Sequence, residues 1–496
     1  MRSRPTLVLQ LLAIASLARA HDVHADHLAK RQTTTPPPAA APTTSPAAAA
    51  ASGTVVAGVT IPPLDQITLG MPAGPTPVAT RTASPGAAAP IASAPPLPNP
   101  AWAFEEGQWP TMDKPIDLSF QQDKLASWMK ELDGYDIPDI PPTVDGTCVS
   151  DPTAAADAEA RGWWTCGGYT RDTDITACPT KYNWGVSFDD GPAPYTPNLL
   201  NFLQEKNITA TFFVVGSRVI SFPDILINEY MAGHEIAVHT WSHPHLTTLS
   251  NEQIVAELGW TRLAIQSVLG VTPTTMRPPY GDTVLAYNGP CVMLQHTSTV
   301  LVRSSPCVVE GFPHSRADDR VRAISLAMGL IPVIWTRTPA GVSFDTFDWE
   351  VAGGIVEGPA SYAAFQNILG NASELDTGFL VLQHDLYEIT VDLSMGYTIK
   401  SALEHNPPFT LQSAGRCNNI PQTNLYVESN QNKSFPYPSP PASLANSSSS
   451  NGGSSSPEKG KTAQQEASGT SGVRGMCWDW TVVAGMLLLA ASALVV

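Results

Sequence analysis

The sequence predicts an α/β protein built on a parallel sheet. Two observations carry that prediction. Short apolar runs alternate with helical patterns between about residues 184 and 405, and residues with catalytic chemistry stand directly after those runs. Alternation of this kind is what βαβ units produce, because parallel strands need a crossover between them. The runs are rich in β-branched and aromatic residues, which suits strands covered on both faces. Such a sheet is either doubly wound or closed into a barrel, and in both the chemistry gathers at the C-terminal ends of the strands.

The elements follow in order. Residues 184–188 form the first strand, halted by Asp189-Asp190 and the chain-breaking Gly191-Pro192. A helical pattern covers 196–206, and the apolar run 209–215 forms the second strand. A third strand lies at 235–238 and a long amphipathic helix at 251–268. The pair Thr275-Met276 is a short strand running into Arg277. Beyond it come a helix at 319–329, a strand at 331–335, a helix at 360–369, a strand at 379–383 and a last helix near 397–405. Residues 117–132 are expected to form a helix that either packs on the main domain or caps it.

Composition separates this core from its flanks. The 496 residues carry 27 Lys plus Arg against 44 Asp plus Glu, a net charge of −17, and only 14% are charged. An acidic chain lacks the cations that hold a phosphate backbone, so nucleic acid is excluded as a main partner. Residues 1–20 combine Arg2 and Arg4, an apolar run over 7–17 and Ala18-Arg19-Ala20, the pattern of a signal peptide. Its removal would take three arginines and no acid, making the mature chain more acidic still. Residues 21–100 are Pro-, Ala- and Thr-rich and hold much of the excess in 46 prolines; such composition buries too little apolar surface to order a chain. An extension over 101–147 leads into a catalytic domain at 148–420, followed by a Ser-rich stalk at 421–471. Residues 472–496 end in an uncharged apolar run after the small residues Ser468, Gly469, Thr470 and Ser471. This matches a GPI-attachment propeptide, with Ser468, Gly469 and Ser471 as candidate lipidation sites.

Of seven cysteines, Cys477 falls in that discarded tail. The remaining Cys148, Cys166, Cys178, Cys291, Cys307 and Cys417 form an even set, as expected for three disulfides in a secreted chain. Sequons at Asn207, Asn371, Asn432 and Asn446 fit a glycoprotein.

Five constellations stand at predicted strand ends. Asp189-Asp190 supplies two carboxylates that leave the backbone in different directions, so that one can bind a metal while the other acts as a base. His239 and His243, four residues apart, can share one ion on the face of a helical turn, and His245 adds a third imidazole nearby. One Asp with two His makes a three-ligand set with open positions, which is the mark of a catalytic metal site. Arg277-Pro278-Pro279-Tyr280, Asp345-Thr346-Phe347-Asp348-Trp349 and Leu382-Gln383-His384 follow later strands. Each alone reads equally as a turn, an acidic loop or a strand-end histidine. The set is far more specific than any member.

Over roughly 145–420 these motifs resemble the polysaccharide deacetylase (NodB-homology) family, and within it the fungal GPI-anchored chitin deacetylases. The resemblance implies a distorted (β/α) barrel of about seven strands. It also implies that Asp189 is the base that activates water, and that Asp190, His239 and His243 hold zinc or cobalt. Tyr280 would offer its backbone N–H to the oxyanion, an interaction worth roughly 3–4 kcal/mol. His384 would be the general acid, Arg277 would orient Asp189, and Asp348 (or, alternatively, Asp345) would tune His384. Trp349 and Leu382 would line the acetyl pocket, and Asp189 and Tyr280 would also contact acetate. By the same resemblance Cys178 pairs with Cys417, Cys291 with Cys307 and Cys148 with Cys166. The expected activity is removal of acetyl groups from chitin by a monomer anchored through a GPI lipid at the plasma membrane or cell wall. The alternatives are an O-acetyl esterase acting on a polymer such as acetylxylan, and a non-catalytic wall glycoprotein.

Overall fold

The computed structural model describes residues 53–68, 83–99, 107–282 and 319–431. The signal peptide, the stalk beyond residue 431, the lipidation candidates Ser468, Gly469 and Ser471, the sequons at Asn432 and Asn446, and Cys291 and Cys307 all lie outside the described residues.

A short antiparallel hairpin comes first, β1 (Thr54–Val56) and β2 (Val59–Ile61). Ala57 and Gly58 both have positive φ, 47° and 81°, the backbone that a two-residue hairpin turn requires. The main sheet contains β3 (Asn183–Asp189), β4 (Thr211–Val214), β5 (Glu235–Val238), β6 (Thr275–Met276), β7 (Ile331–Pro332), β8 (Phe379–Leu380) and β9 (Thr410–Ser413). All pairs in it are parallel, in the order β7-β6-β5-β4-β3-β8, with β9 alongside the first half of β3. Beyond β7 the chain turns toward β8, where the Thr336 N–H donates to the Leu380 carbonyl at 3.1 Å. A bridge from Asp345 to Leu382 continues the contact. The sheet therefore curls onto itself as a distorted (β/α) barrel, the choice that alternation alone left open.

Strand β3 is buried along nearly its whole length, as a central parallel strand must be. Trp184, Val186 and Phe188 fill the core, with Trp184 stacked on Phe379. Helices Thr196–Glu205 and Asn251–Leu269 pack around the sheet and match the predicted ones closely, while the helix predicted at 360–369 is longer, Gly358–Glu374. The longest begins with a capping box, in which Ser250 accepts from the Gln253 N–H and Gln253 accepts from Ser250, and it ends at Gly270 with φ 77°. Helices Gly216–Ser221 and Pro223–Met231 and strand β9 were not foreseen. The predicted helix at 397–405 starts earlier, at Glu388, and passes through one π-helical turn at Ser394–Thr398.

The expectation that 21–100 lacks structure is corrected for its two described stretches. Ile61, Ile67, Ile91 and Leu97 are all buried, and Ile67 packs with Val351 and Leu393. The Ile67 carbonyl accepts from the Gly358 N–H at 2.7 Å, and the Tyr397 hydroxyl donates to the Pro62 carbonyl at 2.6 Å. A few isolated isoleucines and a leucine suffice to dock a strand of chain whose average composition is that of a linker. The extension also packs on the barrel: its helix Gln122–Met129 lies against Asn251–Leu269, with Trp128 edge-on to Trp260.

Two disulfides are present among the described residues, Cys148–Cys166 and Cys178–Cys417. Asn207 is exposed just after a helix, and Asn371 is partly exposed within one. Among the described residues no helix is long and apolar enough to cross a membrane.

Candidate active site

Strand register brings the motif residues to one end of the barrel. Asp189 is the last residue of β3, His239 follows β5, Arg277 follows β6, and His384 lies beyond β8 on a line that still pairs with Asp189. Backbone bonds fix these positions: the Asp189 N–H donates to the Gln383 carbonyl at 3.0 Å, and the Arg277 N–H to the Val238 carbonyl at 2.9 Å.

Asp190, His239 and His243 converge. The Asp190 Oδ1 lies 3.4 Å from His239 Nε2 and 3.1 Å from His243 Nε2. One ligand atom from each side chain falls within 4.8 Å of the others. His239 Nδ1 is 2.7 Å from the Arg277 carbonyl, so it carries the proton and leaves Nε2 as a lone-pair donor. Asp190, Thr240 and His243 all have positive φ, 79°, 64° and 59°. Non-glycine residues in that region cost energy and cluster where the chain must aim side chains. Two imidazole nitrogens and one carboxylate oxygen, facing one another and nearly dry, fit a divalent cation. His245 takes no part in this set. Its ring stacks on Tyr280 at 3.8 Å between centroids, and Tyr280 also meets His243 edge-on.

Asp189 is handled differently from its neighbour. Its Oδ1 accepts from Arg277 Nη1 at 2.6 Å, and Arg277 is fully buried, with its guanidinium 4.1 Å above the Phe213 ring. The Arg277 Nε donates to the Val333 carbonyl at 3.1 Å, which fixes the fork. The two side chains form a buried ion pair, and removing either partner would leave an uncompensated charge.

Opposite stands His384. Its Nδ1 is 2.7 Å from Asp348 Oδ1, and its N–H donates to Asp348 Oδ2 at 2.8 Å. Of the two acids weighed from sequence, Asp348 is the one in contact. Asp345 instead accepts from the Phe347 N–H, and burial pushes its carboxyl up to about 7. Burial alone would lower the His384 pKa. The charge and hydrogen bond of Asp348, together with the charges of Asp190 and Asp189, outweigh burial and raise it to about 10. Leu382 is buried beneath Trp164, Ile334 and Trp335, and Trp349 is partly buried on the short helix Asp348–Ala352.

Among the buried acids given no role from sequence, Asp385 and Glu257 stand beside the site residues. Asp385 accepts from the Thr196 hydroxyl and lies against Gly191, where a Cβ would come within 2.6 Å of its carboxylate. Burial raises its pKa to about 7. Glu257 binds the loop between His239 and His243. No motif spacing signals Glu257, because it lies mid-helix among apolar residues.

This barrel gathers at its strand ends an Asp–His–His set that could hold a metal ion, an Arg-held aspartate and an Asp-paired histidine. Residues 176–289 match the family model for polysaccharide deacetylase. Chitin deacetylase 1 of Cryptococcus neoformans var. grubii is 44% identical over 383 residues, covering 76% of this chain and 72% of that one. The chain belongs to the polysaccharide deacetylase family. Chitin deacetylase 2 of the same organism is 34% identical over 65% of this chain, which spans 63% of that relative's length. Among solved structures, the chitin deacetylase of Colletotrichum lindemuthianum is 20% identical with a TM-score of 0.39, covering 51% of this chain and 95% of that one.

Proposed function

We infer that the protein is a chitin deacetylase, hydrolysing the N-acetyl groups of N-acetylglucosamine residues to leave free amines and acetate. The observation that carries this reading is the division of labour between adjacent aspartates, Asp189 on Arg277 and Asp190 facing His239 and His243. The named activities of the relatives support the substrate class.

Asp190, His239 and His243 would hold the metal, zinc or cobalt. A divalent ion there supplies Lewis acidity, making a water more acidic and an acetyl carbonyl more electrophilic. Asp189, held in place by Arg277, accepts the proton of the attacking water. The Tyr280 N–H is the candidate donor to the developing oxyanion, its ring held on His245. As the C–N bond breaks, the His384 imidazolium gives its proton to the departing amine, and Asp348 stabilises the charge His384 carries before that transfer. Water thus adds to the acetyl carbon, and the sugar nitrogen leaves as an amine. Leu382 and Trp349 would border the acetyl methyl.

We further propose that residues 1–20 and 472–496 are removed, and that a GPI lipid on Ser468, Gly469 or Ser471 anchors a glycosylated monomer at the plasma membrane or wall. The pattern of small residues before an apolar tail supports this reading. The test of function is acetate release by the purified protein from N-acetylglucosamine oligomers and from acetylxylan. Release from the oligomers alone, abolished by chelator and restored by zinc, is expected. Release from acetylxylan alone, or chelator-insensitive release, would overturn the reading.

A further inference from the structure

The two loops that bring Asp190, His239 and His243 together are held from behind by the helix residue Glu257 and by residues of 107–120, the latter outside the family-matched stretch 176–289. Trp241 stands between the two histidines and is fully buried. Its ring stacks on Trp109 at 5.9 Å and 15°, and meets Trp260 edge-on. Its indole N–H donates to the Thr111 carbonyl at 3.1 Å. On the other side of the loop, Glu257 Oε2 accepts from the N–H groups of Trp241 and Ser242 at 2.8 and 2.9 Å, while Oε1 accepts from the Ser242 hydroxyl at 2.9 Å. The Ile116 N–H also bonds to Glu257. Asp113 reaches the aspartate loop. Its Oδ1 accepts from the Ser217 hydroxyl at 2.8 Å and lies 4.0 Å from Arg218 Nε, and Arg218 donates to the Asp190 carbonyl.

We infer that the segment 107–120 is a working part of the metal site, positioning the Asp190 and His239–His243 loops through Asp113–Arg218, Trp109, Thr111 and Glu257. The geometry supplies a reason for the need. Asp190, Thr240 and His243 are each held at positive φ, conformations that persist only where surrounding contacts over-determine them. Seven hydrogen bonds and a stacked indole do that here, and four of these contacts originate in 107–120. Outer partners that orient metal ligands commonly govern metal affinity by about 10–100-fold.

This inference rests on the proposed reading of Asp190, His239 and His243 as metal ligands, and its test reads metal binding rather than turnover. Zinc affinity is measured by competition with a chromophoric chelator on metal-stripped full-length enzyme, for wild type, Trp109→Ala, Glu257→Ala, Glu257→Gln and a control, Trp128→Ala. Trp128 packs on the same Trp260 but touches neither ligand loop. Each variant's unfolding midpoint is recorded in parallel. Trp109→Ala and Glu257→Ala are expected to weaken zinc binding by about 10–100-fold. Glu257→Gln, whose amide oxygen can still accept from both N–H groups, should recover most of the loss. Trp128→Ala should lower the midpoint with zinc affinity unchanged. Equal zinc affinity in wild type, Trp109→Ala and Glu257→Ala would overturn the inference alone, as would a Trp128→Ala loss matching that of Trp109→Ala. Absence of zinc binding in wild type would overturn both this inference and the proposed ligand set. Should Glu257→Ala not fold, Trp109→Ala and Glu257→Gln against Trp128→Ala still decide it.

Discussion

Asp189 and Asp190 are neighbours in the chain with opposite surroundings, and the difference is made by what each side chain meets. Arg277 takes one and two imidazoles face the other. The same contrast governs His384. Against burial, Asp348 with Asp190 and Asp189 lifts the His384 pKa from 6.5 to about 10. A raised histidine pKa means that its contribution to stability is fully present below about pH 6.5 and is lost as pH climbs through 10. In the proposed mechanism, proton donation from His384 to the amine fades over the same alkaline interval. Asp348→Asn removes the nearest charge, so the alkaline limb of the kcat/KM profile should move to lower pH by about one unit or more. An unmoved limb would contradict the tuning role. The motif residues were legible from sequence because their types and spacing are chemical requirements. Glu257 and Asp385 were not, since a lone acid in a helix or after a strand looks like solvated surface until the fold buries it.

At the scale of elements, local chemistry explains where the long helices start and stop. Ser250 and Gln253 satisfy the first N–H groups of Asn251–Leu269, the helix that carries Glu257. Ser250→Ala should therefore cost about 1 kcal/mol in urea unfolding while leaving acetate release intact. A loss under a few tenths would mean that the cap is replaced by water. Apolar periodicity made this helix and strands β3 to β5 readable in advance. It failed for β9, Thr410–Ser413, which is half exposed and has no apolar run to announce it. It also overstated β7 and β8, predicted as five residues each. There the barrel's curl leaves two-residue ladders that continue as single bridges at Val333, Leu382 and His384.

Across the whole molecule, contacts distant in sequence close the structure. Cys178 and Cys417, 239 residues apart and both buried, tie the approach to β3 to the segment after β9. Constraining so long a loop stabilises mainly by limiting the unfolded chain. The double variant Cys178→Ala/Cys417→Ala should lose about 2–5 kcal/mol. Unchanged unfolding in denaturant would show that the barrel closes without it. The N-terminal flank was misread because composition averages over long windows, whereas docking needs only a few buried side chains such as Ile61 and Ile67. The central claim is that adjacent aspartates divide base and ligand duties, and paired measurement of zinc content and acetate release tests it most directly. Asp189→Asn should keep its zinc and lose roughly 10²–10⁴-fold in turnover, while Asp190→Asn should lose zinc and activity together. Full turnover by Asp189→Asn, or wild-type zinc binding by Asp190→Asn, would contradict the account.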